Sequence, residues 1–340
     1  SGRQPMWWWP SMGDPPHVTM LDAVLETIEV AERTGVTSVQ THIKVRGSQY
    51  WGASGALVHQ IDRARQRGVD IWADQYPYNT TGSDGRMVLI SPFVREAARE
   101  AAGEDGEPNY AESLRRHLDD SEDAERIRRD IEYEMYRRGG PRNILIVDHP
   151  REEWVGMTLR ELADELGRTP VETGIALQLQ GDPHRPGGGQ IRGFSLSELD
   201  LKRFMKKPWL ATATDAGSAL PGDGFVHPRY YGTFPRKIRR YALDQGVISL
   251  EFAIRSMTSL PAQILGIKDR GMLREGNWAD VVVFDPNEIE DRSEPLHPYR
   301  QAAGIDYVLV NGEFVVENGE TTGALPGRVL TPSDQDYGPQ

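Results

Sequence analysis

Three residues of this 340-residue chain stand where side-chain chemistry is commonly assembled, just past short apolar runs rich in β-branched residues. His42 closes the run VTSVQTHIKV. An imidazole at a strand end can ligate zinc or serve as a hydrogen-bonded interior group, and residue type alone leaves both open. Lys44 lies two residues on, which within a strand means the same face. It can orient a substrate or balance charge near a metal, or simply reach solvent. Asp215, in ATATDAG, can take a proton and later return it, as a general base and then a general acid; a lone Asp-Ala-Gly can equally be a turn or cap aspartate. His149 also ends an apolar run with Asp148 beside it, but adjacent strand residues face opposite ways, so the pair is not read as a relay. With no cysteine in the chain, a metal would have to use nitrogen or oxygen donors.

The elements that must hold these residues are four stretches running from apolar strand to polar turn: VTSVQTHIKV (36–45), VDIWADQYPY (69–78), NILIVDHP (143–150) and WLATATDAG (209–217). Chemistry collected at strand C-termini is the habit of the eight-stranded βα barrel, and four strands make half of one. Half a barrel has open edges and half an active site, so the sequence predicts that another piece completes it. Helices are expected over 18–34, with Leu21, Val24, Leu25, Ile28 and Ala31 on one face and Gly35 as the stop, and over 53–68. The charged stretch 86–140 carries no strand signal and is expected as a helical insertion, either a lid over the strand ends or a solvated excursion. Further helices are expected near 159–166, 170–180, 236–245 and 249–259, and GDPHRPGGGQ reads as a flexible loop. Past Gly271 the texture changes to short strands, and Asn311-Gly312 between two apolar runs is a hairpin signal. The expected domains are therefore 1–270 and a small β domain over 271–340.

Composition narrows the function classes. Hydrophobic residues make up 38% and charged residues 26%, which is ordinary for a globular protein and argues against disorder or membrane insertion. A net charge of −12 opposes non-specific binding to nucleic acid. The first residues lack the basic-then-apolar order of a signal peptide, and the absence of cysteine fits a reducing cytoplasm, the expected location. Trp7, Trp8 and Trp9 are expected to pack against another surface.

Taken in order, THIK, DQYPYNTTGS, TDAG followed by HPRYYGTFPR, MTSLPAQILGIKDRGMLREGNWADVVVFD and YVLVNGEFVVENGETTGALPGRVL resemble the C-terminal two-thirds of an N-acyl-D-amino-acid deacylase (D-aminoacylase) of the amidohydrolase superfamily. The resemblance implies an α/β fold: the C-terminal half of a TIM-like (β/α)8 amidohydrolase barrel, with a small β-sandwich. It implies hydrolysis of the amide bond of an N-acyl-D-amino acid or related amide by zinc-activated water. On this chain it makes His42 a metal ligand, Asp215 the proton shuttle with Lys44 beside it, and Arg229 the holder of the substrate carboxylate, for which a planar two-pronged donor suits. Tyr78 and Ser83 match positions that fix the same end of the substrate, and His227 is read as structural. Thr41 and Ile43 depart from the commoner family pattern. The cofactor implied is one or two Zn2+ ions whose remaining ligands lie outside this chain, since no His-x-His pair occurs among the eight histidines.

A complementary N-terminal chain or fragment is accordingly the expected partner, besides a small-molecule amide; a higher oligomer is compatible with it. Ser1 would suit self-cleavage through an N-to-O acyl shift, and separate subunits or a Ser-Gly cloning remnant are the other accounts. A cyclic amide or imide hydrolase of the same superfamily and a non-catalytic assembly subunit are the competing readings; Arg229 favours a linear substrate with a free carboxylate.

Overall fold

The structure, a computed structural model, describes residues 20–81 and 88–330. The tryptophans at 7–9 and the candidate residue Ser83 lie outside the described residues. Helix α1 (Met20–Thr34) buries Met20, Val24, Ile28 and Ala31, a three-to-four-residue spacing that lays one stripe on the core. It stops at Gly35, whose positive φ of 73° lets its N–H return to the Ala31 carbonyl. Then come β1 (Ser38–Gln40), α2 (Ser54–Gln66) and β2 (Ile71–Gln75), a βαβ unit with β1 and β2 parallel.

After β2 the chain makes a long excursion. It runs through α3 (Pro92–Ala102), α4 (Tyr110–Leu118), α5 (Ser121–Tyr136), β3 (Ile144–Asp148), α6 (Leu159–Glu165), α7 (Pro170–Gln180), β4 (Gln190–Gly193) and α8 (Glu198–Met205). It rejoins the sheet as β5 (Leu210–Thr212), parallel to β2, giving the order β1-β2-β5. The core beneath this sheet contains Ile28, Leu57, Ile61, Ile71, Phe204, Trp209, Leu210 and Leu260.

One of the four expected barrel strands goes elsewhere. NILIVDHP forms β3 but pairs antiparallel with β4, Ile146 opposite Ile191, in a ribbon separate from the parallel sheet. Its apolar residues are satisfied by the excursion's own core: Ile144 and Ile146 pack with Val94, Leu114, Ile127, Ile131, Leu159 and Leu162. An apolar run specifies a buried strand without specifying which sheet receives it. The expected flexible loop before β4 is also tightly held. Gly188 has φ 74° and lies so close to α7 that a Cβ would collide with the Leu177 carbonyl, which makes its glycines packing devices.

Beyond β5 come α9 (Arg229–Arg236), a π-helical segment (Lys237–Asp244), α10 (Leu250–Met257) and α11 (Ser259–Ile264). Lys237 is buried against β5. Its Nζ donates to Thr212 Oγ1 at 2.6 Å and to Ser256 Oγ at 2.8 Å. The C-terminal region is a four-stranded antiparallel sheet, β6 (Val281–Phe284), β7 (Ile305–Val310), β8 (Glu313–Glu317) and β9 (Glu320–Thr321), in sequential order. Asn311 and Gly312 join β7 to β8 with φ values of 53° and 85°, the doubly positive pair that a type I′ turn requires. Among the described residues no helix is long and apolar enough to cross a membrane.

Candidate active site

Because β1, β2 and β5 are parallel, their C-terminal ends open on one side, and the polar residues that follow them meet there. The turn after β1 is held by Asp74 of β2. Its Oδ1 accepts the His42 N–H at 2.6 Å, and its carbonyl accepts the Ile43 N–H at 2.8 Å. His42 lies beyond the strand, in the left-handed region at φ 44°, so strand alternation does not decide where Lys44 faces. Tertiary packing does. Lys44 Nζ stands 5.5 Å from the centroid of Tyr76, and Arg229 Cζ stands 4.5 Å from the same ring.

Asp215 follows β5 in the left-handed region, at φ 49°. Its Oδ2 pairs with Arg229 Nη1 at 2.8 Å, and its carbonyl also accepts from Arg229 Nη2. Arg229 is almost fully buried in the first turn of α9, and its Nε has no hydrogen-bond partner. His227 supports it from behind: Nδ1 accepts the Arg229 N–H at 3.0 Å, and Nε2 donates to the Thr80 carbonyl at 3.3 Å. That pattern fixes the neutral tautomer, and burial holds the His227 ring well below its ordinary range.

The electrostatics follow from burial and crowding. Burial, then the positive Lys44, lowers the His42 imidazole against an opposing pull from Asp215. The ring is therefore neutral near pH 7, with a lone pair available. Burial pushes the Lys44 amine down to about 7; Asp215 opposes this, while Arg229 and Arg46 reinforce it. Burial raises the Asp74 carboxyl and the Tyr76 phenol. Neutral imidazole and carboxylate are donors of the kind zinc uses, and His42 and Asp215 supply one of each. Among the described residues, no group of three or more His, Cys, Asp or Glu could hold a metal ion.

The sequence-derived residues thus divide. His42, Lys44, Asp215 and Arg229 are brought together. Tyr78 stands a layer back, its hydroxyl donating to the Pro228 carbonyl at 3.4 Å and its ring packed on His227 and against the Arg236 guanidinium. His149 lies in the excursion, bonded to the Leu177 carbonyl and stacked on Trp154, while Asp148 pairs with Arg185. Sequence reasoning missed Asp74 and Tyr76. Asp74 lies in β2, whereas Tyr76 follows its end at Gln75, so strand alternation could not show that the two meet at the mouth.

A parallel-sheet unit with this polar mouth and a separate C-terminal β-sheet is an amidohydrolase architecture, and residues 117–316 match the amidohydrolase family model. The chain belongs to that family. It is 31% identical over 308 residues to the N-acyl-D-glutamate deacylase of Alcaligenes xylosoxydans xylosoxydans, covering 91% of this chain and 51% of that protein. To the D-aminoacylase of the same organism it is 33% identical with the same coverage. Among solved structures, the N-acyl-D-glutamate deacylase of Bordetella bronchiseptica, complexed with zinc and a phosphonate inhibitor, superposes with a TM-score of 0.58 at 30% identity. That match covers 86% of this chain and 49% of that one. The chain spans about half the length of the curated relatives it matches.

Proposed function

We propose that this chain carries one side of the active site of a zinc-dependent hydrolase that cleaves the amide bond of N-acyl-D-amino acids. The observation that carries the reading is Asp215, held by the buried Arg229 beside His42 and Lys44 at the ends of parallel strands. In this reading Asp215 removes a proton from the attacking water and delivers it to the departing amine nitrogen. Arg229 and Lys44 supply the positive charge that draws the substrate carboxylate. His42 is this chain's donor to zinc. Zinc, when bound, acidifies water and polarises the amide carbonyl.

The remaining zinc ligands, and the strands that would pair with the outer edges of β1 and β5, come in this proposal from a complementary polypeptide part. Among the described residues no strand pairs with the outer edges of β1 and β5, and this, with the half-length coverage of the relatives, supports that. The cysteine-free composition supports a reducing, cytoplasmic setting.

The test is Asp215→Asn in the assembled active protein, read by turnover of an N-acetyl-D-amino acid together with zinc content. Turnover is expected to fall by roughly 10²–10⁴-fold, the usual weight of a general acid–base group, with zinc retained. Unchanged turnover removes Asp215 from this role and the reading with it.

A further inference from the structure

The excursion closes back onto the stretch of chain that presents Arg229. Residues 225–227 form no helix or strand, so their buried backbone groups need partners from elsewhere. Two come from β4. Gln190 Nε2 donates to the Phe225 carbonyl at 3.1 Å, and Arg192 Nη2 donates to the Val226 carbonyl at 3.0 Å. Thr80, in the loop after β2, closes the circuit: its Oγ1 donates to the Gly193 carbonyl at 2.8 Å, and its own carbonyl accepts from His227 Nε2. Three successive residues, Phe225, Val226 and His227, are thereby tied to β4, the last of them through Thr80. Strand alternation explains how β4 serves two sides. Gln190 and Arg192 share the face toward this stretch, while Ile191 between them packs with Ile144 and Ile146 in the excursion's own core. Arg192 is fully buried, and its charge, after burial itself, helps hold the His227 ring neutral. A neutral ring keeps Nδ1 as an acceptor for the Arg229 N–H.

We propose that Arg192 is a positioning residue for Arg229: from β4, through the Val226 carbonyl, it fixes the stretch that carries His227, and so sets where the Arg229 guanidinium stands against Asp215 and an incoming carboxylate. The β3–β4 ribbon of the excursion is then a brace behind the mouth. An arginine suits this place because its planar fork aims its donors in fixed directions, whereas a lysine amine turns on a flexible stem. The incoming carboxylate rests on the function proposed above, whereas the brace on Arg229 does not.

The test combines steady-state kinetics of the assembled protein on an N-acetyl-D-amino acid with melting curves and nitrogen NMR of labelled histidine rings. Arg192→Met removes the donor, Arg192→Lys keeps a cation, and Ile191→Val disturbs only the opposite face of β4. In Arg192→Met, KM is expected to rise about tenfold with kcat nearly unchanged, the pattern of binding weakened equally in ground and transition states. His227, a single Nε2–H tautomer in wild type, is expected to become a mixture of tautomers. Arg192→Lys should recover part of the KM. Ile191→Val should lower the melting temperature and leave both KM and the His227 signals as in wild type. Should Arg192→Met not fold, Gln190→Met, which removes the companion bond to Phe225, is expected to raise KM in the same sense. A mixture of His227 tautomers in Arg192→Met, in a protein that hydrolyses no N-acyl-D-amino acid, upholds the brace and removes the hydrolase reading. Wild-type KM and a single His227 tautomer in the folded Arg192→Met or Gln190→Met variant overturn the brace, as does an equal rise of KM in Ile191→Val.

Discussion

Lys44 and Lys237 are both buried amines pushed down to about 7, with burial the leading cause for each, yet they occupy opposite kinds of environment. Around Lys44 the influences pull both ways: Asp215 and Asp74 favour the ammonium, while Arg229 and Arg46 oppose it. Around Lys237 burial is the sole cause of the shift, and Nζ meets the hydroxyls of Thr212 and Ser256. Those hydroxyls also bond each other at 2.9 Å. A lysine whose charge is set by competing neighbours responds when a substrate carboxylate arrives and alters the balance. A lysine enclosed by neutral hydroxyls has no such input, and its burial is paid in stability. The same depressed affinity for protons therefore marks a working group in one place and a structural hub in the other.

The largest effect that would expose this difference is on turnover. Lys44→Met keeps the apolar stem and removes the cation that faces Asp215. The kcat/KM for an N-acetyl-D-amino acid is expected to fall by about 10²-fold, in line with one lost charge-assisted contact. The melting temperature should hold or rise, because a buried amine has been removed. A variant that unfolds while retaining its kinetic constants would assign Lys44 to the framework and erase the contrast with Lys237.

The next effect is on stability and has a definite sign. Lys237 has a folded pKa of about 7 against an ordinary 10.5, so between those values the unfolded chain binds the extra proton. Stability contributed by this residue is therefore lowest below pH 7 and rises as pH climbs toward 10.5, by up to about 1.4 kcal/mol per pH unit. Lys237→Met should abolish that slope and raise stability at pH 7 by about 1–3 kcal/mol, as apolar replacement of a buried charge often does. Denaturant unfolding at pH 7 and pH 9 measures both. A wild type whose stability does not rise between these values would show that Lys237 keeps its proton in the fold.

The sequence disclosed these two regions unequally, for a physical reason. Strand-end polar residues such as His42 and Asp215 interrupt apolar runs, and an interruption is visible in one dimension. The type I′ turn at Asn311-Gly312 was legible for a similar reason, since few residue pairs accept two positive φ angles. The partners of Lys237 lie at 212 and 256 in segments with no local irregularity, and only the packing of α10 against β5 brings them to it. The destination of β3 was hidden likewise, because Ile144 and Ile146 would suit either sheet. Tyr76 was hidden too: it lies just past β2, and its place between Lys44 and Arg229 is set by a loop and by a helix more than 150 residues further on.

The smallest effect tests whether the hub is independent of the mouth. Ser256 Oγ accepts from Lys237 Nζ, bonds Thr212 Oγ1 at 2.9 Å and donates to the Ala253 carbonyl at 2.6 Å, so Ser256→Ala removes three hydrogen bonds and leaves Thr212 as the amine's acceptor. Neutral hydrogen bonds of this kind are worth about 0.5–1.5 kcal/mol each, and a loss of that order is expected in denaturant unfolding with kcat and KM unchanged. Thr212 ends β5 only three residues before Asp215, so a displaced strand end would reach the carboxylate first. Altered turnover in Ser256→Ala, with little change in stability, would mean that the hydroxyl pair positions Asp215, and the two lysines would then belong to one device instead of two.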